Sequence, residues 1–72
     1  MDKSANYPVT DNIRRLIKGS GRSQNQIAVE ARMTPQRLSD LMTGRGTIKA
    51  SEIYRISNAL DVEPTVLFKT RE

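Results

Sequence analysis

The chain has no cysteine, no histidine and no tryptophan among its 72 residues. Without cysteine there is no disulfide and no thiol nucleophile, and without histidine as well, ordinary zinc and haem sites are excluded. Only carboxylates remain as metal ligands, and no acidic calcium-loop pattern occurs. Nucleophile–base catalysis loses its usual partners, so an enzyme is not expected and no cofactor is implied. Aromatic residues number only three, Tyr7, Tyr54 and Phe68, too few for the stacking rows that bind single-stranded nucleic acid. No apolar run approaches the ~20 residues of a membrane span, and no signal peptide opens the chain. The expectation is a cytoplasmic protein without membrane contact.

What is present is positive charge and helical spacing. Twelve Lys and Arg stand against eight Asp and Glu, a net charge of +4. An excess of this size suits an anionic partner, although a merely basic surface gives the same balance. Residues 1–8 show no periodicity and read as a flexible N-terminal arm. From Val9 the apolar positions Val9, Ile13, Leu16 and Ile17 follow one face of a helix, with Thr10 or Asp11 as cap and Gly19-Ser20-Gly21 as stop. Ser23 and Gln26 have the spacing of a capping box for a short second helix that ends near Ala31.

The stretch ARMTPQRLSDL, residues 31–41, holds a proline within helical spacing. The first helical N–H has no intrahelical partner, so proline is tolerated there and Pro35 begins a helix. Thr34 is its cap. Met33 and Leu38 are placed to form a hydrophobic staple, and Leu38, Leu41 and Met42 form the buried face. Gly44 suits a left-handed cap at its end. A fourth helix over 50–60 carries Ile53, Ile56, Ala59 and Leu60, and a short fifth begins at Pro64 with Val66, Leu67 and Phe68. The predicted core is Ile13, Leu16, Ile27, Leu38, Leu41, Ile53, Ile56, Leu60 and Leu67. The fold class is all-α, with five short helices over residues 9–68 and a C-terminal tail over 69–72.

Two helices joined by about three residues around Arg32 make a helix-turn-helix. The second presents Gln36, Arg37, Ser39 and Asp40 away from Leu38 and Leu41, and a B-DNA major groove admits one helix.

The run SQNQIAVEARMTPQRLSDLMTG and the later IYRISNALDVEPTVLF resemble the Cro and phage-repressor class of helix-turn-helix proteins, also called Xre-type. The resemblance spans about residues 12 to 68 and implies a five-helix lambda-repressor-like domain. Such a protein binds double-stranded DNA in sequence-specific fashion and regulates transcription, most often as a repressor. It is implied to be bacterial or phage-encoded and to bind a near-palindromic operator as a homodimer. An antitoxin-type or protein-interaction module on the same fold is the alternative.

By this resemblance the helix 35–42 enters the major groove, with Pro35, Gln36, Arg37, Ser39 and Asp40 facing bases. Gln36 suits adenine and Arg37 guanine. Asp40 either accepts from cytosine or holds Arg37 in place at i, i+3, and the orienting role is the expected one. Gln24, Thr34, Thr43, Arg45 and Lys49 are implied to touch the DNA backbone. Three departures from the family pattern stand out. Arg32 occupies a turn position often held by glycine. Ile17 and Met42 replace a frequent Arg–Glu pair and are expected to touch. Lys49 stands where the fourth helix usually has a Ser or Thr cap.

Overall fold

The structure, a computed structural model, describes residues 6–70. Four α-helices follow one another: α1 (Val9–Ser20), α2 (Gln24–Glu30), α3 (Pro35–Met42) and α4 (Ala50–Leu60), with a 3-10 helix over Pro64–Phe68. There is no strand among the described residues. The fifth helix expected from the sequence is therefore a 3-10 turn, where Val66 donates its N–H to Glu63 at 3.0 Å. A five-residue piece is too short to complete an α-helical ladder, and 3-10 bonds suit such short segments.

The helix starts follow local chemistry. Ser23 and Gln26 form the full capping box, with Gln26 N–H donating to Ser23 Oγ at 3.1 Å and Ser23 N–H to Gln26 Oε1 at 2.9 Å. Thr34 Oγ1 accepts the Arg37 N–H at 3.1 Å, with Pro35 as first helical residue. The start of α1 differs from expectation. Its N-cap is Pro8 without a side-chain bond, and Thr10 and Asp11 lie inside the helix. Thr10 is buried, and its N–H is satisfied by Asn6 O at 3.1 Å. At α4, Lys49 is the cap residue, and a lysine side chain offers no acceptor. Only half of a box forms, through Lys49 N–H donating to Glu52 Oε1 at 2.9 Å.

Three helices end the same way. After α2, Met33 N–H returns to Ala28 O at 2.8 Å and Arg32 N–H to Val29 O at 3.0 Å. After α3, Arg45 N–H reaches Asp40 O at 2.7 Å and Gly44 N–H reaches Leu41 O at 3.2 Å. After α4, Val62 and Asp61 repeat the pattern on Ser57 O and Asn58 O at 3.0 and 3.1 Å. Each is a Schellman motif, which needs a left-handed residue. Arg32 (φ 60), Gly44 (φ 86) and Asp61 (φ 63) supply it. Arg32 thus adopts the conformation the sequence implied, at a cost of roughly 1–2 kcal/mol for a side-chain-bearing residue.

The core lies where the helices meet. Ile13, Ile27, Leu38, Leu41, Ile56 and Leu67 are fully buried, joined by Val9, Ala28, Ala31, Met33 and Leu60. Leu16 and Ile53, expected in the core, are half-buried against it, as are Ile17 and Met42. The small side chains of Ala28 and Ala31 are buried in and beside α2, which packs against α3. Buried Asn12 closes the fold. Its Nδ2 donates to Leu67 O at 2.7 Å and Lys69 O at 2.8 Å, fastening α1 to the end of the 3-10 segment. Asn6, expected in a loose arm, is also buried and bonded to the loop after α3. Residues 1–5 and 71–72 of the expected arm and tail lie outside the described residues.

Two stability measurements follow. Asn12→Ala leaves the Leu67 and Lys69 carbonyls without their donor and is expected to cost about 2–3 kcal/mol in urea unfolding. Arg32→Gly removes the left-handed penalty and is expected to raise stability by up to about 1 kcal/mol after glycine's entropy cost. Arg32→Val, β-branched at the same φ, is expected to lower it by at least as much in the same assay.

Candidate nucleic-acid interface

Within α3 the buried face is Leu38 and Leu41, with Met42 at its margin. At about 100° per residue the opposite side carries Gln36 and Asp40 one turn apart, flanked by Ser39 and Pro35. Pro35 and Gln36 are exposed, and Ser39 and Asp40 are half-buried. Gln36 Nε2 donates to Asp40 Oδ1 at 2.9 Å. Arg45 Nη1 lies 3.8 Å from the same oxygen, and its side chain is 77% exposed. That long, exposed pair contributes little energy, but it sets a cation beside a carboxylate on the face that would meet phosphates.

Arg37 departs from its expected part. Its Nε donates to Glu52 Oε2 at 2.8 Å and its Nη2 to Glu52 Oε1 at 3.0 Å and Thr47 O at 3.1 Å. The two-pronged edge that would address guanine is turned to α4. Asp40 does not hold Arg37; it accepts from Gln36. Asp40 shares the outward face with Gln36 at i, i+4, whereas Arg37 stands at the edge of α3 and reaches Glu52.

Glu52 is nearly buried, at 7% side-chain exposure. The hydrogen bond from Arg37 and the one from the Lys49 N–H hold its carboxyl below the usual range, against the opposing effect of burial. Arg37 is raised in turn, chiefly by its bond to Glu52. Two bonds in parallel between planar groups are the strong form of this contact.

The other expected backbone residues fall into separate roles. Thr34 is occupied as the α3 cap. Thr43 Oγ1 donates to Ser39 O and Asp40 O, both at 3.1 Å. Arg45 and Lys49 are exposed in the loop 43–49, and Gln24 is half-buried as the first residue of α2. Arg14 Nη2, on α1, reaches the Met42 carbonyl at 2.7 Å and so places a cation at the C-terminal end of α3, where the helix dipole favours it.

Glu52 and Asn6 were not singled out in the sequence, and Arg14 was read there with Arg15 and Lys18 as a solvated face. Glu52 had a usable signal. It shares the spacing i, i+4, i+8 with Ile56 and Leu60, so a carboxylate on that stripe calls for a cation. Asn6 and Arg14 act over 40 and 28 residues of sequence and leave no local mark.

A helix-turn-helix family profile of the Xre/Cro-like type matches residues 13–67. Among solved structures the chain is similar to the restriction-modification controller protein C.AhdI from Aeromonas hydrophila. The TM-score is 0.79 at 25% sequence identity, covering 83% of this chain and 91% of that one. No curated protein sequence matches the chain significantly. Among the described residues no helix is long and apolar enough to cross a membrane, and no cluster of carboxylates could hold a metal.

The Arg37–Glu52 pair makes stability depend on acid. A carboxyl whose folded pKa is depressed stabilises fully above its unfolded value, ~4.3 for glutamate, and loses that contribution as pH falls through the folded one. Unfolding midpoints measured from pH 6 downward are expected to drop below about pH 4, and to drop less steeply in Glu52→Gln.

Proposed function

We propose, for a chain that belongs to the Xre/Cro-like helix-turn-helix family, that it is a sequence-specific regulator of transcription that reads duplex DNA with α3. The observation that carries this reading is the outward face of α3. Gln36, Ser39 and Asp40 offer amide, hydroxyl and carboxylate groups together, held by a helix whose other side is locked into the core. The Asp40 bond fixes the Gln36 amide, and an oriented glutamine amide matches the N6 and N7 edge of adenine, worth about 1–3 kcal/mol of discrimination. Asp40 retains a second oxygen suited to cytosine N4, and Pro35 stands exposed at the leading end of the helix. Arg37 has no base-reading part in this scheme.

Gln24, Arg45 and Lys49 hold the DNA backbone, a contact type that sets register without reading sequence. Thr34 and Thr43 border the same face. One helix reads few base pairs, so two copies on a near-palindrome, with half-sites about 34 Å apart, supply the rest of the specificity. Likeness to a restriction-modification controller protein favours regulation of a promoter, and blocking of polymerase at an operator is the simplest form of it. A protein-interaction or antitoxin role on the same fold lacks the need for oriented base-edge donors and acceptors.

The test is selection of duplexes from a randomised pool. An inverted repeat is expected, and log affinity is expected to fall steeply and linearly with log salt. Gln36→Ala is expected to relax preference at one base position at a cost of about 1–3 kcal/mol. Arg45→Ala is expected to weaken all duplexes alike and to reduce the salt slope by about 1. Enrichment of nothing, even at low salt, rejects DNA reading.

A further inference from the structure

The loop 43–49 is tied down from three separate parts of the chain. Asn6 Nδ2 donates to Gly46 O at 3.0 Å, and Ile48 N–H donates back to Asn6 Oδ1 at 2.9 Å. Arg37 Nη2 donates to Thr47 O at 3.1 Å. Glu52 Oε1 accepts the Lys49 N–H at 2.9 Å while Glu52 also holds Arg37. Gly46 sits at φ +91, and a Cβ there would come within 3.1 Å of Arg37 Nη1. The loop therefore lies directly on the guanidinium.

This bracing leaves a pattern among the loop's own donors. The N–H groups of Gly44, Arg45, Ile48 and Lys49 all have acceptors, whereas those of Gly46 and Thr47 have none among the described residues. Both residues are exposed, and Arg45 and Lys49 stand beside them in the chain. Two successive free N–H groups in a fixed loop, with cations next to them, form a donor set for a phosphate oxygen. Glu52 would repel that phosphate if unpaired, and Arg37 neutralises it.

We propose that Asn6, Arg37 and Glu52 are positioning residues for DNA binding, which hold loop 43–49 ready so that the N–H groups of Gly46 and Thr47 meet a backbone phosphate while α3 occupies the groove. The inference rests on the DNA-reading function above and assigns that surface a preset clamp. A preordered loop binds without the loss of freedom that ordering on contact entails. Asn6 bridges a carbonyl and an N–H two residues apart, a task its amide performs with one donor and one acceptor. Ala loses both contacts, and Asp keeps only the acceptor.

The test uses Asn6→Ala, Asn6→Asp and Arg37→Ala, each assayed well below its melting temperature against the selected operator and a random duplex across salt. Asn6→Ala is expected to weaken both duplexes about tenfold at every salt concentration and leave their ratio unchanged, with the salt slope nearly the same because the lost donors carry no charge. Asn6→Asp should fall at least as far, because it loses the donor and adds a like charge near phosphate. Arg37→Ala should likewise weaken all duplexes alike. Without DNA, amide exchange at Ile48 should quicken in both Asn6 variants relative to the wild type. A merely structural role would lower the melting temperature yet leave affinity intact, and that result overturns the inference. A relaxed base preference at one position in Arg37→Ala overturns it too, because Arg37 would then read. If the wild type binds no duplex, the functional reading itself falls, a failure distinct from wild-type binding with indifferent variants.

Discussion

The fold depends first on how the chain turns between α2 and α3. The Met33 and Arg32 N–H groups return to the last carbonyls of α2, and this fixes the direction in which Thr34 and Pro35 begin the next helix. The turn holds only with Arg32 left-handed, at φ 60. Met33 follows it into the core that also holds Ile27, Ala28 and Leu38, as an apolar residue just past such a helix end commonly does. Ala28 and Ala31 are buried with almost no exposure at the same junction, and larger side chains there would push α3 away. Because α3 is held on one side by this junction and on the other by Arg14 and Glu52, its outward row is presented without freedom to roll.

Electrostatics near that row is arranged so that negative groups are answered before any DNA arrives. Asp40 has Gln36 and Arg45 beside it, and Glu52 has Arg37 and the Lys49 N–H. Cations on the outer faces, such as Lys18 and Arg55, remain for the surrounding field. Long-range attraction of a polyanion depends on that net excess, while register depends on the short contacts. The two tasks fall to different residues.

Much of the architecture was legible because helix ends are written locally. Ser23 with Gln26, Thr34 before Pro35, and Gly44 after Met42 are signals of three to five residues, and each appears where it was read. The reading failed where a partner lay far off in sequence. Asp40 was given to Arg37 because the two are three residues apart, yet a long side chain at the edge of a helix finds a carboxylate on a neighbouring element as easily. Asn6 was assigned to a loose arm because an asparagine carries no periodic signal. The last segment was read only as a short fifth helix, because apolar spacing over five residues does not distinguish α from 3-10.

A long bridge in sequence joins the Asn12 side chain to the carbonyls of residues 67 and 69. The packing of α2 on α3 and α4 needs only those helices, but this bridge waits for nearly the whole domain. During synthesis the Asn12 Nδ2 donor of the first helix therefore lacks these acceptors while α2 to α4 are being made. The domain can gather a partial core early, yet it locks only when the segment after Pro64 has been made, so completion of the fold waits for its last element.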